Sequence, residues 1–266
     1  MINDRIADMF TRIGETKPLV HHITNWVTIY DCAQITRAFG ALPVMAHAVG
    51  ESDEMARLAS ALVLNIGTLT PQLVESMIIA GHSANEKGIP VILDAVGVGA
   101  TRLRDEKAME ILGEVKVTVI KGNASEVARL AGENVVTRGV EATSVKADLL
   151  DIIRALARAS ESTVVITGAK DIVADSSCAY RVSNGHQMMG CIVGTGCMAA
   201  SVIGCFASVE QDVPFAAAGA LACFGLAGEV AARDFRGPGS YKVNLYDAIF
   251  NLDATAIRGG IRVEKL

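Results

Sequence analysis

Short runs of β-branched and apolar residues alternate with longer helical patterns along the chain up to Thr167. The runs VILDAV and ALVLNI are apolar almost throughout, which indicates strands that are covered on both faces. Strands of this kind, separated by helical segments, favour right-handed β-α-β crossovers and a mainly parallel sheet. The alternation therefore predicts an α/β fold with helices on both faces of a central sheet.

The predicted strands are residues 19–24, 42–46, 61–66, 90–94, 117–120 and 163–167. The predicted helices include residues 70–87, 102–112, 145–159, 195–208, 214–234 and 245–256. After Thr167, turn signals at Gly168-Ala169 and Asp175-Ser176 predict antiparallel strands at the sheet edge. Because no linker, repeat or low-complexity stretch interrupts the chain, residues 1–266 are expected to form a single domain.

Residues 188–209 contain no charged side chain and are long enough to cross a bilayer. However, this segment is rich in Gly, Ala, Ser and Cys, and Gly-Thr-Gly stands near its middle. The next uncharged stretch, residues 214–228, is shorter and rich in alanine. These features favour two small-residue helices in a soluble core over membrane spans.

Net charge and cysteine content indicate which partners and which cellular compartment to expect. The net charge is −5 and no block of Lys and Arg is longer than a pair, so nucleic acid is not an expected partner. Charged residues near the N-terminus stand where a signal peptide needs an apolar core, which predicts a cytoplasmic protein. The six cysteines form no CxxC pair and are expected to be reduced thiols, mostly buried.

Polar residues stand where the predicted strands end, and in an open parallel sheet ligands bind beyond these ends. They are Asn25, Asn65, Asp94, Asn123 and Thr167, with Glu126 shortly after Asn123. Each could instead cap the following helix, and for any single residue that alternative is equally good. Their convergence on one rim is the stronger reason to expect a site there.

The segment CIVGTGCMAAS places Gly194 and Gly196 before an apolar helix that is expected to begin near Cys197. Free backbone N–H groups at a helix N-terminus, with no Cβ in the way, make a site for an anion. The segment also fits the dinucleotide pattern GxGxxA, but no clear strand precedes it and no acidic residue follows at the expected spacing. No GxxxxGK[ST] motif occurs. Taken alone, the turn slightly favours a packing role over an anion site.

Asp94 and Glu126 are the candidates for holding a metal ion. They follow neighbouring predicted strands, and Mg²⁺ that bridges nucleotide phosphates needs few carboxylates because it keeps several waters. The alternative makes Asp94 a helix cap and Glu126 a first-turn residue. Adjacent His21 and His22 would point to opposite faces of a strand, so they favour packing or loop support over zinc binding.

An ordered set of motifs resembles the hydroxyethylthiazole kinases, which belong to the ribokinase-like superfamily. The matching segments are HHITN at 21–25, PVM at 43–45, NIGTL at 65–69, LDAVGVGAT at 93–101, IKGNASE at 120–126, VVITGAKDIVAD at 164–175 and VGTGCMA at 193–199. The chain departs from the family pattern at His22, Trp26 and Ala95. Single segments are weak signals, but the ordered set is specific and spans most of the chain.

This resemblance implies a ribokinase-like three-layer sandwich and a salvage step toward thiamine diphosphate. In that step ATP phosphorylates the hydroxyl of 4-methyl-5-(2-hydroxyethyl)thiazole. The resemblance also implies a homotrimer with active sites at the subunit boundaries. By matching position, the thiazole pocket would include Met45, Asn25 and Gly194; ATP would contact Lys121, Thr167 and Asn123; and Asp94 and Glu126 would hold Mg²⁺ through water.

Cys197 occupies the position where ribokinase relatives place a catalytic Asp. It is expected to orient or deprotonate the substrate hydroxyl, and the helix N-terminus is expected to lower its pKa. Charge neutralisation by Mg²⁺, Lys121 and the backbone amides of Gly194, Thr195 and Gly196 is expected to dominate, because phosphoryl transfer usually has a loose transition state.

Three alternatives stay open at this point. The first is a kinase for another small alcohol, of the hydroxymethylpyrimidine or pyridoxal type. The second is an ATP- or ADP-dependent dehydratase of hydrated nicotinamide nucleotides, which an Asp at position 197 would have favoured. The third is a sensor that binds ligand without turnover, although no phosphate-handling residue is missing.

Overall fold

The structure is a computed structural model that describes residues 1–133 and 149–266. Its strands are β1 (Leu19–Ile23), β2 (Leu42–Val44), β3 (Ala61–Asn65), β4 (Val91–Asp94), β5 (Val119–Gly122), β6 (Thr163–Ile166), β7 (Asp171–Ala174), β8 (Ala179–Val182) and β9 (Val263–Lys265). Its α-helices are α1 (Ile2–Thr16), α2 (Ile29–Ala38), α3 (Val49–Leu58), α4 (Pro71–Lys87), α5 (Arg102–Glu114), α6 (Ala124–Leu130), α7 (Leu149–Ser160), α8 (Thr195–Ala207), α9 (Val213–Ala231), α10 (Pro238–Phe250) and α11 (Ala254–Gly260), with a 3₁₀ helix at Gln187–Cys191.

The described strands form one nine-stranded sheet in the order β2-β1-β3-β4-β5-β6-β7-β8-β9. The strands from β2 to β6 pair in parallel, and those from β6 to β9 pair antiparallel. The prediction of a mainly parallel sheet with an antiparallel edge is confirmed, and the six predicted strands agree with the structure to within two residues. The outer strand β9 was not predicted.

Side chains of the central strands are buried on both faces of the sheet, as the apolar runs predicted. Val63 and Ile92 face a layer that contains α8 and α9, whereas Leu64 and Leu93 face a layer that contains α4 and α5. Each helix layer therefore covers one set of alternating strand residues. The three-layer α/β prediction is confirmed.

The register of the parallel strands brings polar residues together at their carboxyl ends. Asn65 pairs with Asp94 across β3 and β4, and Asp94 pairs with Lys121 across β4 and β5. Helix α8 packs closely on the same part of the sheet, since a Cβ on Gly204 would lie 2.9 Å from Cγ2 of Val63. This close packing carries the N-terminus of α8 to the rim where those polar residues meet.

The prediction of one helix over residues 245–256 is wrong. Helix α10 ends at Phe250, and α11 begins at Ala254 after a turn. The carboxylate of Asp253 accepts a hydrogen bond from the N–H of Ala256 at 2.7 Å, so it caps α11 as a new helix. An N-cap residue of this kind competes with helix continuation, which the apolar periodicity alone does not reveal.

The other predicted helices are confirmed to within three residues at each described end. The predicted helix at 145–159 corresponds to α7, and residues 145–148 lie outside the described residues. Residues 188–209 are divided between the 3₁₀ helix and α8. Helix α9 is long and apolar enough to cross a membrane by length and composition, but most of it is buried inside the fold.

Candidate active site

Asp94, at the end of β4, is the centre of a buried hydrogen-bonded chain. One of its carboxylate oxygens accepts a hydrogen bond from Nζ of Lys121 at 2.9 Å, and the other accepts from Nδ2 of Asn65 at 2.6 Å. Asp94 has no exposed surface and Lys121 is 4 % exposed. Burial acts to lower the pKa of Lys121, but the carboxylates of Asp94 and Glu126 outweigh it and hold that pKa above its usual value. Lys121 is therefore a charged, buried cation.

Asn25 extends this chain to the N-terminus of α8. Its Nδ2 donates to Oδ1 of Asn65 at 2.9 Å and lies 3.4 Å from Sγ of Cys197. Its Oδ1 accepts hydrogen bonds from the backbone N–H groups of Val27 and Thr28. These bonds fix the Asn25 side chain, so an amide from the loop after β1 stands beside the thiol of α8.

The expectation that the helix N-terminus lowers the pKa of Cys197 is wrong. Burial and the neighbouring carboxylate of Asp94 raise the pKa of this thiol above its usual value. Cys197 is thus a neutral thiol at neutral pH. Its surroundings suit a hydrogen-bonding role better than that of a general base.

The turn at Gly194 and Gly196 leads directly into α8, which begins at Thr195. Gly194 has φ 95°, and a Cβ there would lie 2.4 Å from Cγ2 of Thr28, so only glycine fits without displacement. A Cβ on Gly196 would lie 3.1 Å from Nζ of Lys121, which places the buried cation against the first turn of α8.

The first turn of α8 leaves backbone donors free at the same point. Within residues 1–133 and 149–266, the N–H groups of Thr195, Gly196 and Cys197 donate to no protein acceptor, and Gly194 offers no side-chain cap. Free N–H groups at a helix N-terminus attract anions. The turn and Lys121 together can therefore hold a negatively charged group.

Glu126 lies in the first turn of α6 and forms a capping box with Asn123. One oxygen of Glu126 accepts from the N–H of Asn123 at 2.7 Å, and the other accepts from the N–H of Gly97 at 2.8 Å. The Asn123 side chain accepts in turn from the N–H of Glu126 at 2.9 Å. The capping alternative is realised for Glu126, whereas Asp94 is not a helix cap.

The donor set around Asp94 fits a hydrated Mg²⁺ ion. Asp94 and Glu126 supply hard carboxylate oxygens from neighbouring strand ends, and both carboxylates act on the same buried Lys121. No group of three His, Cys, Asp or Glu side chains in the described parts of the chain could form a protein-only metal centre. Two carboxylates suit an ion that keeps several waters and binds nucleotide phosphates.

A cavity of about 510 Å³ opens next to the α8 turn. It is lined by Asn123 and Thr167 from the strand ends, by Thr195 and Gly196, and by Asp171 and His186. Burial raises the pKa of Asp171 to about 6. Asp171 and His186 were not singled out from the sequence: Asp171 lies within the matching segment at 164–175 but does not stand at a predicted strand end, and His186 belongs to no recognised motif.

The loops after β1 and β2 are joined through His47. Its Nε2 accepts from the N–H of Thr24 at 3.0 Å, and its Nδ1 lies 3.2 Å from the carbonyl oxygen of Met45. The ring of Trp26 stacks on that of His47, with 4.8 Å between the centroids. Met45, which is half-buried, is thereby tied to the loop that carries Asn25.

His21 and His22 are fully buried on β1. Nε2 of His21 lies 2.8 Å from the carbonyl oxygen of Ala46, and Nδ1 of His22 lies 3.0 Å from that of Val20. Both rings are hydrogen-bonded to the backbone, His21 to the loop after β2 and His22 within β1, which agrees with the expected packing or loop-support role.

Comparison with known proteins finds close relatives of this chain. The family model described as "Hydroxyethylthiazole kinase family" matches residues 10–255. The hydroxyethylthiazole kinase of Methanosarcina mazei is 60 % identical over 254 residues, covering 96 % of this chain and 97 % of the relative.

Solved structures show the same fold. The hydroxyethylthiazole kinase protein from Pyrococcus horikoshii OT3 superposes with a TM-score of 0.91 at 40 % identity, covering 98 % of this chain and 99 % of the other. A ribokinase-like superfamily protein from Enterococcus faecalis V583 superposes with a TM-score of 0.60 at 14 % identity, covering 87 % and 86 % of the two chains. The second likeness concerns the fold alone. On the extent of the family match and the identity to its members, this chain belongs to the hydroxyethylthiazole kinase family.

Proposed function

We propose that this protein transfers the γ-phosphoryl group of ATP to the hydroxyl of 4-methyl-5-(2-hydroxyethyl)thiazole, in the salvage route to thiamine diphosphate. The observation that carries the proposal is the meeting of Lys121, Asp94 and the first turn of α8, where a Cβ on Gly196 would lie 3.1 Å from Nζ of Lys121. A buried cation and free backbone amides at one point suit a group that carries negative charge during transfer.

ATP occupies the cavity beside this point in our proposal. Thr167 and Asn123 contact its phosphates from the ends of β6 and β5, and Lys121 acts on them from its place beside Gly196 in the first turn of α8. The cavity volume of about 510 Å³ is within the range of small-molecule sites. Residues 1–266 act as one domain in this arrangement.

The thiazole alcohol binds on the other side of the α8 turn. Met45 and Asn25 line its pocket, and the backbone of Gly194 lies against the ring. The support for this assignment is that His47 ties the Met45 loop to the Asn25 loop, and that Asn25 lies 3.4 Å from Cys197. This arrangement brings the substrate pocket to the turn that faces Lys121.

Asp94 and Glu126 hold Mg²⁺ through water in the proposed complex. When bound, the ion supplies neutralisation of phosphate charge. The protein's own contribution is to keep both carboxylates fixed: Lys121 and Asn65 hold Asp94, and backbone N–H groups hold Glu126. These bonds prevent either carboxylate from turning away from the phosphates.

Transfer proceeds mainly by positioning and charge stabilisation. The N–H groups of Thr195, Gly196 and Cys197 and the ammonium of Lys121 face the transferring group, so they stabilise the negative charge that it carries. The Cys197 thiol, neutral at neutral pH, orients the substrate hydroxyl together with Asn25. These fixed donors lower the barrier without requiring a strong base.

A homotrimer with active sites at its subunit boundaries is part of the proposal. Four exposed apolar side chains lie beside Asn25 and Gly194 and support it: Trp26, Val27, Tyr30 and Val193. Exposed apolar groups of this kind are typical of surfaces that another subunit covers. A cytoplasmic location is also proposed, and the six free cysteines are consistent with a reducing compartment.

The decisive experiment incubates the protein with Mg²⁺, ATP and a panel of alcohols, and identifies the phosphorylated product by mass spectrometry. The panel contains the thiazole alcohol, a hydroxymethylpyrimidine and pyridoxal. We expect the thiazole phosphate to form fastest. A faster product from either other alcohol would contradict the substrate assignment, and the absence of any phosphorylated alcohol would contradict the activity.

A further inference from the structure

Arg104 lies in the first turn of α5, yet its side chain reaches back to the loops that follow β3 and β4. Nη1 donates to the carbonyl oxygens of Ile66 at 2.8 Å and Val96 at 2.7 Å, and Nη2 donates to that of Gly67 at 2.8 Å. In the described ranges no carboxylate lies within ion-pair distance of this guanidinium. Its charge is thus directed at three backbone carbonyls of two loops.

The loop after β4 carries this contact to Glu126. Gly97 follows Val96, and its N–H donates to Oε1 of Glu126 at 2.8 Å. Gly97 has φ 76°, and a Cβ there would lie 3.1 Å from Cδ and Nε of Arg104. The glycine therefore lies flat against the side chain of Arg104 while it donates to the carboxylate.

The loop after β3 carries the contact to Asp94. The N–H of Gly67 donates to Oδ1 of Asn65 at 2.9 Å, and Nδ2 of Asn65 donates to Asp94 at 2.6 Å. A Cβ on Gly67 would lie 2.9 Å from Cβ of Asn25, so this loop also packs closely against the side chain of Asn25, which is assigned to the substrate pocket. Arg104 is therefore connected to each carboxylate of the proposed magnesium site by hydrogen bonds that pass through one loop.

We propose that Arg104 is a positioning residue, which fixes the separation of the Asp94 and Glu126 carboxylates by holding the carbonyls of Ile66, Gly67 and Val96. The inference rests on the proposed function, because it assigns these carboxylates to Mg²⁺. Lysine cannot replace Arg104 fully, since a single ammonium does not reproduce the planar fork of donors that spans two loops.

The experiment measures the affinity for a non-hydrolysable ATP analogue by calorimetry, once with Mg²⁺ and once with EDTA, for the wild type, Arg104→Met and Arg104→Lys. In Arg104→Met we expect the affinity with Mg²⁺ to fall about tenfold, as is usual when the partners of metal-binding groups are removed. Without metal we expect its affinity to stay within about twofold, because the cavity contacts do not involve Arg104. The affinity of Arg104→Lys with Mg²⁺ should lie between that of the wild type and that of Arg104→Met.

Two control variants, Arg102→Met and Gly113→Ala, guard against a loss caused by poor folding. Arg102→Met, on the same helix, removes an exposed arginine whose ion pair in the described chain is with Glu106, and it should behave as the wild type. Gly97→Ala should reproduce the loss of magnesium-dependent affinity with Arg104 still present, whereas Gly113→Ala, with nothing within 4 Å of its Cβ position, should not.

Equal losses of affinity with and without Mg²⁺ in Arg104→Met would overturn the inference, because a role in stability alone predicts that result. Unchanged magnesium dependence in Arg104→Met would also overturn it, while leaving the proposed function intact. If Mg²⁺ does not raise the affinity of the wild type at all, the proposed metal role and this inference fail together.

Discussion

Two groups of residues at the proposed transfer site are built by different means. The carboxylate wall is formed by Asn65, Asp94, Lys121 and Glu126. The first three are buried and hydrogen-bonded in a chain, whereas the half-buried Glu126 accepts hydrogen bonds from backbone N–H groups. The glycine wall, residues 194–197, consists of backbone whose N–H groups have no protein acceptor in the described chain. The carboxylate wall therefore holds its charged groups in fixed positions, whereas the glycine wall leaves backbone N–H groups free to donate to a ligand.

This difference predicts how substitutions act on the two walls. A change in the carboxylate wall removes a partner from a buried charge, so it should affect stability and turnover together. A change in the glycine wall adds volume or backbone strain at a turn, so it should mainly affect substrate positioning. Each prediction below either separates these two behaviours or contradicts them.

The largest effect is expected from Lys121→Met. Loss of the cation should lower kcat by about 10³-fold or more, because a principal stabiliser of transferring charge is removed. It should also lower the free energy of unfolding by about 3 to 5 kcal/mol, because the buried Asp94 carboxylate loses its only ion-pair partner in the described chain. Steady-state kinetics and urea unfolding measure the two effects.

The double variant Lys121→Met with Asp94→Asn is the control. Removal of the buried charge should restore much of the lost stability but none of the activity. Recovery of turnover in the double variant would show that Lys121 acts only by supporting the fold. Lys107→Met, which breaks an ion pair on the outside of α5, should change neither quantity appreciably.

Gly194→Ala is expected to lower kcat/KM for the thiazole alcohol by about 10²-fold, because small displacements of a positioned substrate cost that much. The reason is steric, since the new Cβ would lie 2.4 Å from Cγ2 of Thr28 in a residue with φ 95°. Adding Thr28→Ser should recover part of the loss because the clashing methyl group is removed. Gly113→Ala, which has open space around its Cβ position and does not line the cavity, should match the wild type.

Cys197→Ser should keep kcat within about tenfold of the wild type, because a general base usually contributes much more than this. Cys197→Asp should raise the rate, since a carboxylate can accept the proton of the hydroxyl. The pH–rate profile of Cys197→Ser should keep its shape, as the raised pKa keeps the wild-type thiol neutral. A loss of several orders of magnitude in Cys197→Ser would reverse the ranking of charge stabilisation over base catalysis.

Asp171 offers a smaller test, because this half-buried carboxylate lines the cavity and, unlike Asp94, forms no direct ion pair with Lys121 in the described chain. Burial raises its pKa to about 6, so the folded protein binds this proton more tightly than the unfolded chain does. Stability should therefore fall as the pH rises from about 4 to about 6 and stay level above that range.

Asp171→Asn should remove this fall and stabilise the protein at pH 7 by up to about 3 kcal/mol, since each pKa unit corresponds to about 1.4 kcal/mol. Urea unfolding at several pH values measures it. Asp175→Asn should instead destabilise the protein at pH 7. Burial acts to raise the pKa of Asp175, but hydrogen bonds from the backbone N–H groups of Cys178 and Ser177 outweigh it and hold that pKa below its usual value. A more stable Asp175→Asn together with an unaffected Asp171→Asn would contradict both assignments.

The sequence was a good guide to the carboxylate wall because strand position determines most of it. Asp94 and Lys121 stand at the ends of apolar runs, and the parallel register places them side by side. The bond between Asn25 and Cys197 could not be predicted in the same way, because it joins residues 172 positions apart through the packing of α8 on the sheet. Only the resemblance to a family linked those two residues beforehand.

The role of Arg104 was not predicted, for a different reason. Arg104 belongs to RLRDEK, a charged helix start that is indistinguishable from a solvated surface in the sequence. Its role follows from the direction of its side chain toward Ile66, Gly67 and Val96, which no local pattern encodes. The break before α11 was missed because apolar spacing continued across it, although Asp253 is a recognisable helix N-cap.

The central claim is that the two walls face one phosphoryl group. A crystal structure of the protein with ADP, the thiazole alcohol and Mn²⁺, with the metal located by anomalous scattering, tests it most directly. We expect the manganese peak between Asp94 and Glu126, linked to them by water, with the terminal phosphate directed at the N–H groups of residues 195–197. A metal peak away from these carboxylates, or a terminal phosphate directed away from α8, would contradict the claim.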